Sequence, residues 1–223
     1  MTVRQSRPCL QPHNPGRNVA TYLESRDPDG RYASFDYCYN FFQAFREQDA
    51  TKRLLAQEVL ESACMSLGFY LASWGMLRGS TYLLQRSARH LVPVIKVIAD
   101  APDEAWEIDA DAYSRPGVMD LMEGLERDLR IALRRPSSDT LITKILLGVF
   151  GCVPAFDTNF KKGSGLSIYG RSALLRLEEF YVRNASVIES HRIFTLDFLT
   201  GEETDRRYPR AKVIDMVFFV EGA

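Results

Sequence analysis

The sequence predicts an all-α protein built from many helices. Apolar residues recur at three- and four-residue steps along most of the chain, no strands follow one another at regular spacing, and no internal repeat is present. At 223 residues and 46% hydrophobic content the chain can bury one large core, so a single helical domain, with room for two lobes, is expected over residues 31–223.

The elements follow in order. Residues 1–30 are rich in Pro, Gly, Asn, Arg and Asp, turn at Asp27-Pro28-Asp29-Gly30, and read as an irregular arm. Cys38 to Phe45 reads as a short aromatic helix, with Tyr37, Tyr39, Phe41 and Phe42 as core. A long helix follows from Thr51 to Trp74, amphipathic at its start and apolar nearly all round at its end. Gly75 and Gly79 break it, helical spacing resumes through Pro93, and an acidic linker without a period comes next. Met119, Leu121, Met122, Leu125, Leu129 and Leu133 form the stripe of a helix over about 118–133. Ser137 or Ser138 is placed to cap the following helix, which Gly151 ends. Another helix is expected from about Ser172 through Leu199, residues 200–209 read as a loop, and residues 210–222 read as a helix in preference to a strand.

Charge is balanced overall, with 28 basic and 29 acidic side chains, but not locally. Residues 100–126 carry nine acids and one base, whereas residues 127–176 carry nine bases and three acids. A segment of the second kind suits a phosphate-bearing partner, with Arg134, Arg135, Lys161 and Lys162 as candidate nucleic-acid contacts. Cys9, Cys38, Cys64 and Cys152 have no metal or redox spacing, which predicts reduced thiols in a cytoplasmic protein. The start of the chain has no apolar core of a signal peptide, and no uncharged run is long enough to span a membrane. His13, His90 and His191 are dispersed, so no metal site is expected, and no cofactor fingerprint occurs. Asp109-Ala110-Asp111 reads as a solvated acidic loop.

The stretch GVFGCVPAFDTNFKKG, residues 148–163, sets one carboxylate, Asp157, at the end of an apolar run. With Lys144 on the preceding helix and Asp157 within Phe156-Asp157-Thr158-Asn159-Phe160, it resembles the closing part of the helix-hairpin-helix DNA glycosylase superfamily. The resemblance implies a helical glycosylase-like fold, duplex DNA with a flipped base as partner, and Asp157 and Lys144 as catalytic groups. A carboxylate in an apolar wall that includes Phe156 would stabilise the cation that develops on the sugar when an N-glycosidic bond breaks. A desolvated Lys144 could instead attack the sugar. The turn Trp74 to Tyr82 adds a candidate base pocket, with Trp74 and Tyr82 around a planar ring and Arg78 on a phosphate or base edge. Two alternatives stand beside these assignments: Asp157 caps a helix that begins at Thr158, and the chain is a non-catalytic helical interaction or nucleic-acid-binding module.

Overall fold

The computed structural model describes residues 10–79 and 81–223, so Cys9, Ser80 and the start of the expected arm lie outside the described residues. The described chain is mostly helical, with nine α-helices and one small two-stranded sheet. None of its helices is long and apolar enough to cross a membrane.

The arm is the first departure from expectation. Residues Pro15–Glu24 form a helix (α1), because the Asn14 side chain accepts from Arg17 N and Pro15 occupies the first turn, where a missing N–H is harmless. The aromatic helix is longer than its apolar centre and runs Ala33–Glu47 (α2). The expected long helix from Thr51 divides into a 3-10 turn over Thr51–Leu55 and a helix Gln57–Ser73 (α3). Two further 3-10 turns, Tyr82–Gln85 and Ala88–Leu91, precede Val92–Asp100 (α4), with Pro93 in its first turn. Val118–Ala132 (α5) and Asp139–Phe150 (α6) fall where the stripes predict. Ser138 caps α6 by accepting from Leu141 N, and Gly151 takes the left-handed conformation that closes it. The turn between α5 and α6 has no glycine, and Arg134 itself adopts φ 56°.

Thr158–Ser164 (α7) and Arg171–Ser190 (α8) complete the central part. Residues Phe194–Leu196 (β1) and Glu203–Arg207 (β2) form an antiparallel hairpin where the sequence predicts continued helix and loop. Thr195, buried, bonds both Asn40 of α2 and Thr204 of β2, which ties the hairpin to α2. Arg210–Glu221 forms the last helix (α9), whose residues from Ala211 to Phe218 are all buried. It packs closely on α7, and a Cβ on Gly163 would lie 2.2 Å from Phe218 O. Only glycine permits that approach.

The acidic linker is not a solvated loop throughout. Asp109 accepts from Arg210 N at 2.7 Å and Ala211 N at 2.8 Å, capping α9 from 101 residues away in sequence. Those two orphan amides of the helix find a half-buried carboxylate in place of water.

Candidate functional site

The segment 152–157 returns beside α6 and is held by side chains of two helices and of the acidic linker. Phe156 N donates to Thr143 Oγ1 at 2.9 Å, and Thr140 Oγ1 donates to Phe156 O at 2.7 Å. Ala155 N donates to Asp215 Oδ1 of α9 at 2.9 Å, and Tyr113 OH donates to Cys152 O at 2.7 Å. An irregular apolar strap thus keeps its buried backbone polar groups satisfied. Its path places Asp157 against Lys144, one oxygen of Asp157 lying 3.5 Å from the Lys144 ammonium. The other oxygen accepts from Phe160 N at 3.0 Å, so Asp157 caps α7 as one of the two sequence alternatives expects.

Lys144 comes from the middle of α6, where its side chain is only 5% exposed. Its ammonium donates to Trp74 O at 2.6 Å, the carbonyl just past the end of α3, and lies 5.8 Å from the centre of the Trp74 ring. A cation is favourable at a helix C-terminus and over an indole face. Burial nevertheless lowers the Lys144 pKa, with Asp157 and then Asp215 opposing that shift and Arg78 adding to it.

Behind this pair lies a second one that the sequence reading does not identify. Lys212 and Asp215, three residues apart on α9, are bonded at 2.9 Å, and Lys212 also donates to Tyr22 OH at 2.9 Å. Lys212 is packed against the rings of Tyr22, Phe35 and Trp74. Burial raises the Asp215 pKa, opposed by Lys212. The available signal is a lysine and an aspartate inside the otherwise apolar run of α9, AKVIDMVFF. Trp74 covers both lysines, with Tyr32 and Phe219 edge-on to its ring at 5.4 and 5.8 Å and the exposed Arg31 guanidinium above it at 5.5 Å.

Of the residues the sequence singles out, Lys144, Asp157 and Trp74 meet in this cluster, with Arg78 near Lys144 and folded over Gly75. Two others are placed elsewhere. Tyr82 does not face Trp74 across a pocket; its ring packs edge-on against His90 at 5.7 Å. Phe156 is fully buried between Phe160 and Tyr169, so it is core and not the wall of an open site. The basic segment is neutralised in part: Arg130 pairs with Glu126 and Asp139, and Arg171 with Asp120 and Glu123. Arg134, Arg135 and Lys162 remain exposed, and Lys161 is half-buried.

A groove of about 850 Å³ lies beside the cluster, between α2, α3 and the hairpin turn, reaching it at Arg31 and Ser73 but lined by neither Lys144 nor Asp157. The cluster thus sets an amine whose charged form burial disfavours beside a carboxylate in a low-dielectric setting, beneath an aromatic cover. No protein-family model, curated protein or solved structure matches the chain.

Proposed function

We propose that the protein acts on DNA as a glycosylase-like enzyme, cleaving the N-glycosidic bond of a flipped, damaged or modified base. One observation carries this: Lys144, Asp157 and Trp74 come together from three separate elements, with the amine 3.5 Å from the carboxylate. In the reaction, unprotonated Lys144 bonds to C1′ as the bond from C1′ to the base breaks, and the base leaves with the proton that the new ammonium sheds. Asp157 stabilises the positive charge on the sugar. Opening of the O4′–C1′ bond then gives an imine between Lys144 and the sugar. Displacement of Trp74 and Arg31 toward the neighbouring groove would expose the pair.

A second reading is favoured by the closed geometry. Lys144 satisfies the end of α3 and Asp157 caps α7, which suits a non-catalytic helical nucleic-acid-binding module. Borohydride trapping on duplexes carrying damaged bases separates the two. The enzyme gives a covalent protein–DNA adduct and free base, both lost in Lys144→Gln. Salt-sensitive DNA binding with no base release and no adduct leaves the module. Absence of binding at low salt removes both.

A further inference from the structure

The chain from the end of α3 into α4 carries basic side chains and no acidic ones. From Trp74 to Ala99 there is no acid, against Arg78, Arg86, Arg89 and Lys96. Its two 3-10 turns fold toward the end of α5, which brings Arg134 into the electrostatic reach of His90 and Arg135 into that of Tyr82. Unlike Arg130 and Arg171, each held by two carboxylates, Arg86, Arg89, Arg134 and Arg135 make no ion pair among the described residues.

Between α3 and these turns is a cavity of about 290 Å³ with apolar walls that include Leu71, Leu83 and Leu91, joined by Arg86 and His90. Phe69, on α3, also lines it and is 69% exposed. One polar atom of a lining residue, His90 Nε2, is buried without a hydrogen-bond partner. Buried polar atoms are rarely left unpaired unless a water or ligand completes them. The volume is at the small end for ligand sites and suits one ring system. A flat exposed aromatic, an apolar recess, an unpaired polar edge and uncompensated arginines are together the features that hold an unpaired nucleotide.

We infer that this cavity takes one unpaired nucleotide of a single strand, its base against Phe69 with the edge toward His90, and its flanking phosphates on Arg86, Arg134 and Arg135. The site contains neither Lys144 nor Asp157. It rests on the nucleic-acid reading above and adds that the strand engaged is unpaired.

The test is anisotropy of the full chain with a short fluorescent single strand and with the matching duplex, over a salt series. The single strand should bind more tightly. Phe69→Ala should weaken it about 10-fold or more, the effect of losing one stacked base, and leave duplex binding unchanged. Arg86→Gln should weaken single-strand binding and reduce the salt slope by about one. Phe198→Ala, an exposed aromatic of the neighbouring groove, should leave single-strand binding as it is. Phe69 and Arg86 are both exposed, and thermal melts of each variant check that it folds. Wild-type single-strand affinity in both Phe69→Ala and Arg86→Gln overturns the inference while leaving the nucleic-acid reading standing on whatever binding persists. Displacement of the strand by an acidic polypeptide of equal charge, at equal concentration, overturns it in favour of an acidic protein partner. No binding of either nucleic acid at low salt overturns both.

Discussion

Replacing Asp157 by Asn leaves the cap of α7 in place but strips the Lys144 ammonium of its carboxylate, because Asn caps about as well as Asp. Lys144 is 5% exposed and cannot turn to water, so breaking the pair falls in the class of about 3–5 kcal/mol. Two features reduce that cost: Lys144 keeps its bond to Trp74 O, and Asp215 still attracts it. Deprotonation sets a ceiling, since neutralising an ordinary lysine at pH 7 costs about 4.6 kcal/mol. The expected loss in Asp157→Asn is therefore about 2–3 kcal/mol at neutral pH. Lys144→Met removes the charge and keeps the packing, so the double variant Lys144→Met/Asp157→Asn should be scarcely less stable than Lys144→Met alone. The pH sign follows from burial. The folded protein holds Lys144 below its unfolded pKa, so between those values the unfolded chain binds more protons and stability rises with pH. The penalty in Asp157→Asn should shrink on going from pH 7 to pH 9. Urea unfolding of all four proteins at both pH values measures this cycle. Additivity within about 0.5 kcal/mol, or a penalty that grows with pH, would refute a buried ionic contact at this site.

Three further outcomes are expected. Asp36 is fully buried beside Arg26, and burial raises its pKa to about 6 against the attraction of Arg26, so its contribution to stability falls as pH rises from about 4 to about 6. Thermal melts across that window should show the slope, by at most about 3 kcal/mol, and Asp36→Asn should lack it. Asp109→Ala should cost about 2 kcal/mol in urea unfolding by exposing two orphan amides of α9, and Asp109→Asn much less. Gly163→Ala should destabilise by about 3 kcal/mol or more, because its Cβ meets backbone and no flexible side chain can yield; a loss under about 1 kcal/mol would show that α7 and α9 can separate.

The sequence by itself determined the elements governed by neighbours within one helical turn. The α5 stripe, the Ser138 cap, the Gly151 terminus and the Asp157 cap all depend on residues no more than five positions apart, and each stands where the pattern puts it. Asn14-Pro15 carries the same kind of signal for α1, but the surrounding turn-forming residues mask it. Tertiary structure decided the rest. The strands β1 and β2 exist because they pair and because Thr195 finds Asn40, 155 residues earlier, which no local propensity encodes. Asp109 leaves solvent only because α9 brings its amides to it. Phe156 and Tyr82 carry residue types that suit a base pocket, yet packing gives one to the core and sets the other against His90. The meeting of Lys144 with Asp157 follows from a strap that folds back along α6, held by Thr140, Thr143 and Asp215. Spacing can suggest such a pair, but whether two charges share a buried site depends on side chains from distant helices that satisfy the backbone between them.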